Sequence, residues 1–340
     1  MANDLQPYLS RLLNRESLNR PEATDLINKI LDGHSSDTAI AAVLAALTTK
    51  GETVEELAGM ASALRARAIN IKSSHPCFID TAGTGSSSAK TFNISTAAAF
   101  VIAGAGLPVA KHGNRAASSR SGSADVLSAM GVNVSVAPEI SENCLNEIGI
   151  CFMFAPLYHG ATARVAAVRR DLGIQTSFNL LGPLSNPAHA PRQIIGVCRR
   201  NLVELLAEVL AMLGTERAWV VHGEDGLDEI TLAGQTFVAE SCQGAVTSFE
   251  INANDFGFAK SSLEHLRGGD AESNAGIIRE VLAGTRKDEA RFLVVANAAA
   301  ALVVGGRADD LRKAVLLAEK SIDSGAAQRK FQELVRATNN

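Results

Sequence analysis

Residues 80–100 read DTAGTGSSSAKTFNISTAAAF, and the fold turns on what this stretch is. Ahead of it the apolar CFIDTA (77–82) has the character of a strand, and behind it STAAAFVIAG (95–104) has that of a helix. Between them Gly83 and Gly85 let the backbone turn sharply and approach a ligand closely, while serines and threonines crowd the join. Such a junction is either a flexible turn or an anion site. The second reading follows because the first N–H groups of a helix lack intrahelical partners and its dipole is positive there.

The same order recurs downstream. LPVAKH (107–112), ICFMFA (150–155), QIIGVC (193–198) and AWVVHG (218–223) are strand candidates, each ahead of a loop and usually of a helix. The clearest helix is NLVELLAEVLAML (201–213); residues 231–251 read as a β meander, and 275–338 as helices. This alternation predicts an α/β fold with a mostly parallel central sheet flanked by helices, and ligands beyond the carboxyl ends of its strands. Upstream, the first 70 residues hold only helical patterns. Leu5, Tyr8, Leu9, Leu12 and Leu13 form an amphipathic stripe. Pro21 and Gly33 bracket a second helix, and Thr53 with Glu56 makes a capping-box pattern ahead of Leu57, Met60 and Leu64. A small helical domain over 1–71 and an α/β domain over 72–340 are expected.

The 340 residues are 46% hydrophobic and 20% charged, a balance that suits a soluble globular protein with a sizeable core. The net charge of −4 gives no overall basic field to recruit nucleic acid or anionic lipid. Cys77, Cys144, Cys151, Cys198 and Cys242 are scattered and contain no CxxC pair, which argues against a disulfide framework or a zinc site. No apolar run approaches the ~18 residues of a membrane span. MANDLQPYL at the start lacks a signal-peptide pattern. A cytoplasmic protein with no nucleic-acid or membrane partner is expected.

Two further junctions carry chemistry. In KHGNRAASSRSGSADVL (111–127), Lys111, His112 and Arg115 precede four serines, and Ser123 opens a helix. This loop and the first, where Asn93, Ser95 and Thr96 begin a helix, can surround one polyanion. Neither loop is a Walker A motif or a full dinucleotide fingerprint, and serines at helix starts also serve simply as caps. In VVHGEDGLDEIT (220–231), Glu224, Asp225, Asp228 and Glu229 follow a strand. Neighbouring carboxylates on a regular strand face opposite ways, but in a loop Asp228 and Glu229 can share a hard cation. Magnesium suits such a site because it takes few carboxylates and completes its shell with water and phosphate. A solvated acidic turn is the alternative, and His222 is either a ligand or structural. The DFG within NDFGF (254–258) has no accompanying kinase lysine or HRD loop.

GTG (83–85), NIST (93–96), KHGNRAASS (111–119), SGSADVL (121–127), FNLLGPLSNPA (178–188) and GLDEIT (226–231) stand in this order along the chain. With them the chain resembles the anthranilate phosphoribosyltransferase family over nearly its whole length. The resemblance implies a small N-terminal helical domain hinged to a larger α/β domain, with a segment near 165–190 returning to the helices. It implies a homodimer formed through the helical domain, and association with anthranilate synthase as a further partner. The implied reaction moves the phosphoribosyl group of 5-phosphoribosyl 1-diphosphate to the amine of anthranilate and releases pyrophosphate, a step of tryptophan biosynthesis. Mg2+ is the implied cofactor, as two ions bound with the diphosphate.

The same resemblance assigns residues. Gly83, Ser86, Ser87, Thr91, Asn93, Ile94, Ser95, Thr96, Lys111, His112, Gly113, Asn114, Arg115, Ala116, Ala117, Ser118, Ser119 and Ser123 are expected around phosphoribosyl diphosphate. Gly83, Asn114 and Arg169 are expected at anthranilate, with Arg170 set aside on alignment. Ser95, Asp228 and Glu229 are expected at the metal, and His112 as an orienting group rather than a general base. The chain departs from the family's usual Gly-Thr-Gly-Gly-Asp at Ser86 and Ser87, which removes a glycine's freedom and a carboxylate. A pyrimidine nucleoside phosphorylase and a non-catalytic nucleic-acid-binding relative are the competing readings.

Overall fold

Seven strands form one sheet in the order β3-β2-β1-β4-β5-β6-β7. They are β1 (Ile79–Asp80), β2 (Val109–Gly113), β3 (Ile150–Phe154), β4 (Arg192–Gly196), β5 (Arg217–Gly223), β6 (Thr236–Cys242) and β7 (Ala245–Ile251). The computed structural model describes residues 4–85, 89, 91–116, 120–262 and 266–340. Strands β1 to β5 are parallel, and β6 and β7 are antiparallel additions at one edge. The chain steps from β1 to β2 to β3 in one direction, then returns to the far side of β1 for β4 and β5. Loops leaving β1 and β4 therefore part from each other, which makes a crevice at the carboxyl ends of these strands.

Four helices precede the sheet: α1 (Gln6–Leu13), α2 (Arg20–Leu31), α3 (Asp37–Lys50) and α4 (Val54–Arg67). The capping box at Thr53 and Glu56 is formed, and a second joins Asn19 to Glu22. Helix α5 (Ile94–Gly104) follows β1, α6 (Ser123–Ala129) and α7 (Pro138–Asn143) follow β2, and α8 (Ala155–Tyr158), α9 (Ala163–Leu172) and α10 (Ser177–Leu184) follow β3. Helices α9 and α10 return to pack on α3 and α4. Helix α11 (Leu202–Met212) links β4 to β5, and α12 (Ala253–Phe256), α13 (Ala271–Leu282), α14 (Glu289–Val304), α15 (Leu311–Asp323) and α16 (Ala326–Asn339) close the chain.

Strand alternation divides the apolar residues between two cores. Ile194, Trp219, Val221 and Val238 face a core with α5 and α14. Their neighbours Ile195, Val220 and Ala239 face the other, which runs through α11 into the N-terminal helices. Helix α5 is buried almost all round, as an alanine-rich helix between two polar loops requires. A Cβ at Gly104 would lie 2.3 Å from Ser321 Oγ of α15, so glycine permits this approach.

Three expectations change in detail. β1 is only two residues long, Ile79–Asp80, and beyond it the Thr81 carbonyl accepts the Lys111 ammonium at 2.7 Å instead of a ladder N–H. The meander is a hairpin of β6 and β7, turned at Gln243 and Gly244, both at positive φ. Leu13 is 68% exposed: Leu5 and Leu12 of its stripe are buried, but the end of α1 points it away from α3. All five cysteines are free, and no helix among the described residues is long and apolar enough to cross a membrane.

Candidate active site

The crevice lies where the loops after β1, β4 and β5 meet, and Thr81, Ala82, Gly83, Ser95, Gly196, Glu229 and Asn297 line part of it. Gly83 lies against both partner loops: a Cβ there would come 3.2 Å from Gly196 O and 3.7 Å from Asp228 Oδ2. Gly196 admits no side chain at all, since a Cβ would fall 1.6 Å from Asp228 O. Thr84 N–H donates to Gly196 O at 2.8 Å, tying the glycine loop to the end of β4.

The acidic turn divides into two pairs. Glu224 accepts Gln235 N–H at 3.1 Å, and Asp225 accepts the Thr231 hydroxyl at 2.8 Å and Leu227 N–H at 3.2 Å. These two shape the loop. Glu229 instead turns into the crevice and accepts Ser95 N–H at 3.2 Å, at the first turn of α5. Asn297 of α14 pins the backbone beside it, accepting Ile230 N–H at 2.9 Å and donating to Ile230 O at 3.1 Å. His222 is structural: it is buried with Nδ1 bonded to Val197 O at 2.8 Å.

Charge at the crevice is partly balanced from within. Lys111, 4% exposed, donates to Thr81 O and Thr81 Oγ1 at 2.7 and 3.3 Å and to Ser95 Oγ at 3.4 Å. Burial pushes its ammonium pKa down, against the pull of Asp80 and Glu229. Burial, with Asp228 adjacent, holds the Glu229 carboxyl well above the ordinary carboxylate range. One lysine thus faces more carboxylate than it neutralises, the condition under which a divalent cation is favourable. Among the described residues no cluster of three His, Cys, Asp or Glu side chains forms a complete protein cage. A magnesium ion sharing Asp228, Glu229 and Ser95 with phosphate oxygens fits such a donor set.

Beneath the crevice lies Asp80, fully buried, which accepts Asn186 Nδ2 at 2.7 Å and His112 N–H at 3.2 Å. Burial lifts its pKa to about 6 despite Lys111. Asn186 also donates to Ala110 O at 2.9 Å, so the α10–β4 connection is bolted to β1 and β2 together. Neither residue was expected at the site.

On the second loop, Ser123 Oγ donates to Asn114 O at 3.4 Å and Arg115 N–H to Asn114 Oδ1 at 2.8 Å. A Cβ at Gly113 would strike Ser123 Oγ at 2.2 Å. Arg115 pairs with Asp125 at 2.9 Å, and Ala116 N–H donates to the same carboxylate. Asn93 Nδ2 reaches across to Ser121 O at 3.3 Å, joining the two loops. Thr91 pairs with Arg267 in a short bridge, Ile94 is buried, and the Thr96 hydroxyl is buried with no partner among the described residues. Ser86, Ser87, Ala117, Ser118 and Ser119 lie outside the described residues.

His112 is buried, its Nδ1 bonded to Gly182 O at 3.2 Å and its ring 5.2 Å from that of His159. Burial and His159 push its pKa down to about 3, so the imidazole is neutral. The carbonyl at Nδ1 requires the proton there, which leaves the Nε2 lone pair without a partner among the described residues. Arg169 is held by Asn179 Oδ1 at 3.0 Å and lies over the Phe178 ring, with Nε unpartnered among the described residues.

A family profile described as "Glycosyl transferase family, a/b domain" matches residues 75–328, and one described as "Glycosyl transferase family, helical bundle domain" matches 6–68. Anthranilate phosphoribosyltransferase of Moorella thermoacetica is 49% identical over 331 residues, 97% of each chain. The crystal structure of anthranilate phosphoribosyltransferase from Thermus thermophilus superposes with a TM-score of 0.92 at 37% identity, covering 98% of this chain and 99% of that one. The Saccharomyces cerevisiae enzyme in complex with PRPP and Mg gives 0.91 at 26% identity, covering 100% and 99%. This chain belongs to the anthranilate phosphoribosyltransferase family.

Proposed function

We propose that the chain transfers the 5-phosphoribosyl group from 5-phosphoribosyl 1-diphosphate to the amine of anthranilate, giving N-(5-phosphoribosyl)anthranilate and pyrophosphate, in tryptophan biosynthesis. The observation that carries the reading is the meeting of three loops at one crevice: Gly83 lies against Asp228, Ser95 against Glu229, and Asn93 against the loop that begins at Asn114. A relative solved with PRPP and Mg shares the fold across the whole chain.

The diphosphate belongs over the N-terminus of α5, where the positive end of the helix, the Ser95 and Thr96 hydroxyls and Lys111 favour an anion. Asp228, Glu229 and Ser95 would hold Mg2+, as two ions with the diphosphate, and the metal would stabilise departing pyrophosphate. The aromatic amine is neutral at pH 7, so the chain needs no strong base before attack. Its task is to place the amine in line with the ribose C1 as the bond to pyrophosphate breaks. Arg169, preset by Asn179 and Phe178, offers a charge-assisted pair to the anthranilate carboxylate. Asn114 sits between the two substrates. Neutral His112 presents its Nε2 lone pair as an acceptor that orients an N–H.

The helices of 1–71 with the segment near 165–190, and the α/β body of 72–340, are proposed as lobes that close on the substrates. Pairing of two chains through the helical lobe belongs to the same proposal. The fluorescence of anthranilate tests the reading. Its loss must require both phosphoribosyl diphosphate and magnesium; phosphate-dependent cleavage of a pyrimidine nucleoside without that loss would overturn it.

A further inference from the structure

Three loops are joined by a relay of two asparagines. Asn274, on the first turn of α13 and 3% exposed, accepts Gly269 N–H at 2.8 Å and donates from Nδ2 to Asn93 Oδ1 at 3.0 Å. Asn93 in turn donates to Ser121 O at 3.3 Å. The direction is fixed at both ends by backbone groups. An N–H can only donate, so Asn274 must present its oxygen to Gly269 and its amide to Asn93. A carbonyl can only accept, so Asn93 must present its amide to Ser121 and its oxygen to Asn274. Neither side chain can flip without breaking two bonds.

The segment that carries this anchor is itself seated on the first loop. Arg267 pairs with Thr91, Phe92 N–H donates to Leu266 O at 3.3 Å, and a Cβ at Gly268 would lie 2.3 Å from Thr91 O. Asp270 caps α13 by accepting Ser273 N–H at 2.9 Å. Asn274 thus stands on a segment bonded to the first loop and reaches the residue that precedes α5.

We propose that Asn274 is a positioning residue for the transferase, setting the spacing between the loop after β1 and the loop after β2 by holding Asn93 in one amide orientation. Asn93 has one Nδ2 proton committed to Ser121 O and keeps the other for the ligand. The proposal rests on the reading of these loops as the phosphoribosyl diphosphate site.

The test compares the full chain with Asn274→Ala, Asn93→Ala and the double variant in steady-state assays, varying each substrate in turn. The KM for phosphoribosyl diphosphate is expected to rise about 5- to 10-fold in Asn274→Ala, with that for anthranilate within about twofold. The double variant should be no worse than Asn93→Ala alone, because the shared bond is already gone. If Asn274→Ala does not fold, Asn274→Ser keeps a small polar side chain at that depth without reaching Asn93, and should give the same KM change. An unchanged KM with a lower melting temperature, or effects that simply multiply, would overturn the positioning role and leave the transferase reading standing. A wild-type chain with no phosphoribosyl-diphosphate-dependent loss of anthranilate would overturn the transferase reading itself, and the role of Asn274 with it.

Discussion

The Glu229 carboxylate accepts the Ser95 backbone N–H at 3.2 Å, joining the loop after β5 to the first turn of the helix after β1. The two residues lie on opposite sides of the switch point between β1 and β4, and the contact holds the Glu229 carboxylate at the helix end that suits a phosphate. Gln at 229 keeps an oxygen for Ser95 but removes the charge.

Glu229→Gln with Asp228→Asn is therefore expected to fold as the wild type does while losing magnesium-dependent turnover. Loss of about 3 kcal/mol of transition-state stabilisation corresponds to a kcat lower by roughly two orders of magnitude. A magnesium titration of both proteins checks this, and an identical metal dependence would remove these residues from the metal site.

Arg169→Ala should act on one substrate. A lost charged hydrogen bond of about 1.5–3 kcal/mol raises the anthranilate KM about 10- to 100-fold, with a smaller change for phosphoribosyl diphosphate. Equal weakening of both substrates would show that Arg169 supports the crevice generally. Asn179 holds the guanidinium, so Asn179→Ala should reproduce part of the effect.

Acid should unfold the protein partly through His159. Burial holds its pKa down at about 4, below the ordinary value near 6.5. The folded form then binds fewer protons than the unfolded chain between those values, so stability is full above pH 6.5 and is lost as pH falls toward 4. At about 1.4 kcal/mol per unit, the loss is about 3.5 kcal/mol. Denaturant unfolding across this range should fall less steeply in His159→Gln. Equal slopes would place the acid sensitivity elsewhere.

The helical lobe has its own buried ion pair. Glu56, with no exposed surface, accepts Leu18 N–H at 3.0 Å and Thr53 N–H at 2.8 Å, and pairs with Lys50 at 2.9 Å. Glu56→Ala leaves two backbone donors unpaired and removes the counter-charge of the Lys50 ammonium, which keeps only Gly51 O at 2.7 Å and Ser17 Oγ at 3.3 Å, so urea unfolding should show about 3–5 kcal/mol of lost stability. A loss under about 1 kcal/mol would mean that Lys50 finds water instead.

The motif residues are legible because each loop keeps its site residues close in sequence, and the loops after β1 and β2 each open a helix that sequence patterning marks. Gly83, Ser95 and Glu229 stand in these motifs, and all three line the crevice. The supports were not legible. Asn274 and Asn297 are single polar residues on helices, and their partners lie 181 and 67 residues away, a separation that periodicity does not encode. Asp80 ends a strand like any turn residue, and its work depends on Asn186, 106 residues on. The acidic turn showed four carboxylates alike in sequence; only the fold separates Asp225, bound to Thr231, from Glu229, bound to Ser95.

The convergence of the three loops on one sugar diphosphate is tested most directly by a crystal structure of the protein with phosphoribosyl diphosphate and magnesium. The diphosphate should lie between the Asn93–Thr96 turn and the loop that begins at Asn114, with a metal ion within about 2.2 Å of a carboxylate oxygen of Asp228 or Glu229. Diphosphate bound away from both loops, or metal bound without either carboxylate, would contradict it.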